Sequence, residues 1–455
     1  MGAFWFYNKK GAKKKGSIEH SLEIRRDDSM HLQEISGQRQ LTFMQNFDYI
    51  REACTEGEWK AAKEIQKYLK NIGLDCRLEA FEVCYWKVIE ASFVITEPYE
   101  KEYTITGYGC CGNTPEGGVE APFYYAENGD DINLSYASGK IVMVNTPMDT
   151  SMYKKLVEKG AVGFLTIAGS PIDQGVDLIP CSRNLRGVKE PSIQGGILHF
   201  RDAMELVEKG ASNARLIVKQ EQIVGESYNV ITKIEGTDKK EEILTLTAHY
   251  DTVPDGKGAY DNMAGSAIIM ELCEYFKKYR PRRSMEFVWF GAEEKGLCGS
   301  RDYVSVHEKE LQHHMFNMNV DLAGQLVGGT VIGVTGDQSI CKIMEDIARQ
   351  VGIGMVTKHM IWGSDSNSFA AKGVPAMTLN RDGFGMHTPH DTLEWISPWS
   401  LQRSAQLLCA IAHHLAEVEE IPFSREIPKE FMEKLQNYLK MFQTKNKLYN
   451  ERNTK

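Results

Sequence analysis

The stretch EILTLTAHYDTVPDGKGAYDNMAGSAIIMELCEYF, residues 242–276, decides how the chain is read. It opens on an apolar, threonine-rich run with the pattern of a buried strand, and it closes from Asn262 onward on an amphipathic helical pattern. Between the two lies a loop rich in Gly and Asp, and around that loop stand His249, Asp251 and Asp261. Residues two apart on a strand share a side, so His249 and Asp251 face one pocket while Tyr250 faces away. Strand, polar loop and helix in this order build an α/β fold, and in open α/β sheets ligands bind beyond the carboxyl ends of the strands. Taken singly, these residues have bland accounts: a histidine satisfied within a core, and Asp261 as the N-cap of the helix that follows.

Further sites change that reading. The run SMEFVWFGAEE (284–294) ends on Glu293 and Glu294, and FNMNVDLAG (316–324) ends on Asp321. GTVIGVTG and VPAMTLNRD are two more strand patterns, and GFGMHTPHDTLEWI supplies His387 and His390. Several carboxylates gathered at one sheet edge are costly without a cation, because like charges a few ångströms apart cannot all stay ionised. Two imidazoles among such carboxylates suit a pair of borderline divalent ions, most naturally zinc.

Upstream, TEGEWKAAKEIQKYLKNIGLD reads as a helix with Trp59, Ala62, Ile65 and Leu69 on one face and Gly73 at its end. The strand CRLEAFEV follows. From residue 93 to 222 the texture shifts to frequent Gly, Asn and Pro, around a small α/β unit of its own: SGKIVMVNTP, SMYKKLVEKG and AVGFLTIAG. This is the pattern of an inserted domain, after which YNVITKIEG and EILTLTAHYD resume the first sheet.

At 455 residues and 42% hydrophobic, the chain is long enough for two or three domains. Its net charge of -9 is uneven: residues 1–15 carry +5 and residues 425–455 carry +4, which leaves -18 between them. An acidic body argues against nucleic acid as a partner. No apolar run reaches the length of a transmembrane helix, and the start, MGAFWFYNKKGAKKKG, is the reverse of a secretory signal. Ten scattered cysteines without a CxxC read as reduced thiols, which predicts a cytoplasmic protein.

The ordered set AHYDTVPDGKGAYDN, GAEEKGLCGS, NVDLAG, GSDSNSFAAKGVPA and GMHTPHDT resembles the zinc exopeptidase family of bacterial leucyl-type aminopeptidases and glutamate carboxypeptidase relatives. The segment after residue 93 resembles the protease-associated domain inserted in many members. The likeness spans roughly residues 40–420. It implies an α/β fold with a mixed, mainly parallel central sheet flanked by helices, and a smaller inserted α/β domain. The expected divisions are a basic N-terminal tail or arm (1–35), the first part of a metallopeptidase domain (36–92), the insert (93–222), the second part (223–424) and a basic amphipathic C-terminal helix or tail (425–455) that packs or mediates self-association into a homo-oligomer.

Residue by residue, the likeness implies that His249 and Asp321 hold one zinc, that Glu294 and His387 hold a second, and that Asp261 bridges them. Mn2+ or Co2+ would also suit the set. Glu293 becomes the general acid/base, and Asp251 the acceptor of the other ring N–H of His249. A cis peptide between Asp261 and Asn262 is implied as well, and His390 is left as a bystander. Relatives often carry His where this chain has Ser366, after Ser364 and Asp365. The implied activity is hydrolysis of N-terminal residues from peptides with a free N-terminus. The competing readings are a glutamate carboxypeptidase-type carboxypeptidase, a single-zinc glutaminyl cyclase and a catalytically inactive binding relative. A carboxypeptidase needs an arginine for the substrate carboxylate, and only scattered candidates, Arg301 and Arg381, stand near the motifs.

Overall fold

The computed structural model describes residues 30–171, 184–185, 187–188 and 191–442. The lysine-rich start (1–29), the stretch 172–183 and the last residues of the basic C-terminal segment (443–455) lie outside the described residues.

Helices α1 (Gly37–Met44) and α2 (Glu56–Asn71) precede a 22-residue strand, β1 (Cys76–Glu97). In α2 the buried face is Ala61, Ala62, Ile65 and Leu69. Trp59, expected on that face, is 39% exposed and lies against Tyr228 at the rim, with ring centroids 4.4 Å apart. Residues 30–35, expected as part of a tail, pack on a later helix: His31 stacks on Tyr279 at 4.3 Å, and Ile35 is buried.

The segment 93–222 contributes β2 (Lys101–Tyr103), β3 (Ile105–Gly107), β4 (Val119–Tyr125), β5 (Ile141–Val144), α3 (Thr150–Glu158), β6 (Gly163–Ala168), β7 (Gln194–His199), α4 (Phe200–Glu208) and the start of β8 (Asn213–Ile234). Its apolar residues, among them Phe93, Ile141, Phe164 and Leu216, form one buried cluster. A second, larger cluster centres on Leu244, Leu246, Ile268, Trp289, Met318 and Leu408.

The two clusters share an unbroken ribbon. Strand β8 pairs antiparallel with β1 from Cys76↔Thr232 to Glu97↔Asn213, with irregularities between Val88 and Glu90 and between Ile95 and Glu97. Near its start β8 also pairs with β4, and near its end with β10 (Arg283–Phe290). The expected junctions at residues 93 and 222 therefore fall inside continuous strands, not in linkers.

Beyond β8 come β9 (Lys239–His249), α5 (Ala264–Lys278), α6 (Cys298–Val306), β11 (His314–Val320), β12 (Thr330–Thr335), α7 (Ser339–Val351), β13 (Val356–His359), α8 (Ser366–Ala371), β14 (Ala376–Arg381), α9 (Pro398–Glu417) and α10 (Lys429–Lys440). The strand order β13-β12-β14-β11-β9-β10-β8 makes the central sheet mixed and mainly parallel. Strands β14, β11, β9 and β10 all run parallel, so their carboxyl ends lie along one edge. Among the described residues no helix is long and apolar enough to cross a membrane.

Candidate metal centre

The four parallel strands deliver the motif residues to that shared edge. His249 is the last residue of β9, Asp321 follows β11, Glu293 and Glu294 follow β10, and His387 sits in the loop after β14. Asp261 arrives from the loop before α5. It is not the N-cap of that helix: α5 begins at Ala264, and the carboxamide of Asn262 accepts from Gly265 N at 3.1 Å instead. The peptide between Asp261 and Asn262 is cis.

Two groups of ligand-type atoms result, each lying within 4.8 Å of one another: His249, Asp261 and Asp321 in one, and Asp261, Glu294 and His387 in the other. Asp261 belongs to both, and it does so with a different oxygen for each. Its Oδ1 lies 3.1 Å from His249 Nε2, and its Oδ2 lies 3.0 Å from His387 Nε2. His249 Nε2 is 3.5 Å from Asp321 Oδ1, and His387 Nε2 is 3.0 Å from Glu294 Oε1. His390, in neither group, stacks on Phe384.

The electrostatics show what this set demands. Burial works to lower the pKa of His249, yet Asp251, Asp261 and Asp321 together raise it well above its usual value. Burial likewise works to lower the pKa of His387, but Asp261 and Glu294 outweigh it and raise that ring to about 11. Burial lifts the carboxyl pKa of Glu293, with Asp365 and Glu294 adding to the rise and His249 opposing it. The carboxylates thus call for positive charge at both imidazoles, and a divalent cation in each group answers that demand while leaving the rings neutral. Nitrogen and oxygen donors in sets of three, sharing one carboxylate, fit zinc.

A network behind the ligands fixes them. Asp251 accepts from the backbone amides of Glu293 at 2.9 Å and Glu294 at 3.1 Å. Its Oδ1 is 3.4 Å from His249 Nδ1, an electrostatic contact without the geometry of a hydrogen bond, so the expected ring N–H donation is not formed here. Asp391 accepts from Tyr260 N and Asp261 N at 2.6 and 2.9 Å, which anchors the bridging residue. Glu58 accepts from Ala292 N at 3.0 Å, and Asn262 Oδ1 from Leu322 N at 3.3 Å. Ala292, Leu322 and His387 all have positive φ (51°, 70° and 59°) next to or at the ligands. Such backbone is unfavourable for residues with a Cβ and persists where surrounding bonds over-determine it.

Arg51 completes the frame. Its guanidinium is fully buried and donates to the carbonyls of Phe47, Tyr49, Tyr250, Lys257 and Gly258, so it laces together the loop between Asp251 and Asp261. Sequence reasoning did not single out Arg51, Glu58 or Asp391 as functional. Only Asp391 had a signal, its place at the end of the HTPHD motif. Asp365, next to Ser366, is fully buried, and burial first, then Asp321 and Asp251, push its carboxyl up to about 7.

Residues 229–412 match peptidase family M28. The chain is 27% identical over 389 residues to carboxypeptidase Q of Bos taurus, covering 80% of this chain and 81% of that one. It is 26% identical over 396 residues to aminopeptidase YwaD of Bacillus subtilis (strain 168), covering 82% of each. In fold it is similar to BSAP, a zinc aminopeptidase from Bacillus subtilis, with a TM-score of 0.72 at 23% identity over 87% of this chain and 99% of that one.

Proposed function

We propose, from the match of residues 229–412 to peptidase family M28, that the chain is a zinc-dependent exopeptidase that removes N-terminal residues from peptides. The observation that carries this reading is Asp261, whose two oxygens each face a different imidazole. In the proposal His249 and Asp321 hold one zinc, Glu294 and His387 hold the other, and Asp261 serves both. Zinc bound there would supply Lewis-acid polarisation of the scissile carbonyl and lower the pKa of a water.

The chain's own residues do the rest. Glu293 belongs to neither metal-holding group and is next in sequence to Glu294. It takes the proton of the attacking water and returns it to the departing amine. Asp251, by gripping the amides of both glutamates, fixes the acid/base and a ligand with one carboxylate.

The choice of peptide end rests on the arginines. Arg381 spends its donors on the Gln325 and Leu326 carbonyls and the Thr330 hydroxyl, and Arg301 points at the Gly296 and Phe442 carbonyls. Lys295 is paired with Glu52 at 2.6 Å. These cations are committed to the protein and not presented to a substrate carboxylate, whereas a carboxylate-rich edge suits a protonated α-amine. We place the insert, residues 93–222, as a border of the cleft in the manner of a protease-associated domain. The nine free cysteines among the described residues support a reducing, cytoplasmic setting.

Aminoacyl peptides with free and with acetylated N-termini, offered to the zinc-loaded protein, test the reading. We expect release of the first residue from the free peptides only. Trimming of acetylated peptides from the carboxyl end at comparable rates would sink the aminopeptidase assignment and leave the metallopeptidase standing.

A further inference from the structure

The C-terminal helix α10 is not needed to assemble either group of ligands, yet its end reaches the turn that carries Glu293 and Glu294. Its apolar stripe, Phe431, Leu435, Tyr438 and Phe442, follows helical spacing. The first half of the stripe is an anchor. Leu435 is fully buried in a cluster with Ala370 and Ala376, and Phe431 lies on His359 with ring centroids 4.6 Å apart.

The second half reaches the catalytic edge. A methyl group built on Gly296, two residues after Glu294, would stand 2.6 Å from the ring of Phe442. Gly296 has φ +117, so both its conformation and the approach of that ring require glycine there. A methyl on Gly363, two residues before Asp365, would stand 3.4 Å from the Tyr438 hydroxyl. Met441, 41% exposed, points its Cγ to 3.7 Å from the same position on Gly187, which belongs to the 93–222 segment. The Tyr438 and Phe442 rings meet edge to face at 5.1 Å. Arg301 points one guanidinium nitrogen at both the Gly296 and Phe442 carbonyls, at 3.4 and 3.5 Å. Two residues of chain reach at most about 7 Å, so the helix end stands beside the turn that carries Glu294, and Met441 stands beside Gly187 of the 93–222 segment.

We propose that Tyr438, Met441 and Phe442 form a wall of the substrate cleft and limit the bulk of the peptide side chains the site accepts. The proposal rests on the reading of the chain as a peptidase. The wall is built from three side chains that bridge Gly187 of the 93–222 segment to the turns that carry Glu294 and Asp365, and it determines specificity without touching the metal ligands.

The test uses full-length Phe442→Ala and Met441→Ala proteins with a panel of free aminoacyl amides that runs from alanine to tryptophan. Truncating the Phe442 ring is expected to shift the ratio of kcat/KM for the largest over the smallest substrate by at least about tenfold, the scale on which a hydrophobic pocket discriminates by size. Met441→Ala, at an exposed position, should shift the ratio the same way by less, and it serves should Phe442→Ala fail to fold. Zinc content should stay at the wild-type value. The ratio of calorimetric binding affinities for phenylalanine over alanine amide should shift in the same direction, a readout that does not depend on turnover. A purely structural role would scale all substrates equally, so an unchanged ratio in a variant that still turns over overturns the wall and leaves the peptidase reading intact. A wild-type protein that holds zinc and cleaves nothing in the panel overturns both.

Discussion

Asp251→Asn is the sharpest probe of the frame behind the metal-holding groups. The carboxylate has two amides to satisfy, Glu293 N on Oδ1 and Glu294 N on Oδ2, and it also faces His249 Nδ1 at 3.4 Å. An asparagine offers one oxygen, and its NH2 then confronts a backbone N–H that cannot accept. One charge-assisted bond is lost and one buried donor is orphaned, each worth about 1–3 kcal/mol, so the metal-free protein should lose about 3 kcal/mol. Removing the charged partner of a ligating imidazole costs about 10–100-fold in metal affinity. Because the same carboxylate also holds the turn bearing Glu294, the effect should sit near the upper end of that range. Urea unfolding of the metal-free variant and zinc titration against a competing chelator measure the two effects separately. A variant within about 0.5 kcal/mol of wild type, with zinc affinity within about threefold, would refute the reasoning.

Three further outcomes are expected. Glu293→Gln should lower turnover by about 10²–10⁴-fold while zinc content is unchanged; loss of zinc would show that the roles of Glu293 and Glu294 are exchanged. Asp261→Asn should weaken zinc at both groups together, and metal analysis after dialysis that finds one group still loaded would show that Asp261 serves only the other. His314 is buried at the start of β11, with Nδ1 2.6 Å from Thr245 Oγ1, and burial, with Lys233 and His307 adding, lowers its pKa to about 3. The folded value lies below the ordinary 6.5, so only the unfolded chain takes up this proton as pH falls through 6.5, and stability drops on acidification. Between pH 7 and 5 the wild type should lose about 2 kcal/mol more than His314→Gln, and equal losses by urea unfolding would contradict the assignment.

The parallel strands and the residues at their ends were legible because His249, Glu293, Glu294 and Asp321 each follow a run of apolar residues whose burial leaves no choice of structure. Strand β13 was not: its residues Val356–His359 alternate between exposed and half-buried at the sheet margin, so it has no apolar run to betray it. Trp59 misled for a related reason, since hydrophobicity marks the helix face only to within a residue, and Ala61 took the buried place. Arg51, Glu58 and Asp391 act across the fold, on partners about 130 to 230 residues away, and nothing local to their sequence announces those partners. Asp261 was recognisable through its motif, while its assignment as a cap failed because the next residue, Asn262, makes the cap bond.

The ribbon of β1 and β8 has a mechanical consequence. It carries the 93–222 segment on two strands of 22 residues each, bonded along their length, and so behaves as a leaf spring with no pivot. A change in the angle between the 93–222 segment and the central sheet must be shared as small increments of twist along the ladder, except where the pairing slips beside Ile89 and Thr96. An irregularity of that kind bends and twists a strand locally, which makes the points opposite Gln220 and Lys219 and opposite Ala214 and Asn213 the soft places along the spring. The pose of the 93–222 segment is then set by strand curvature, and the side chains that tune it need not touch the segment at all.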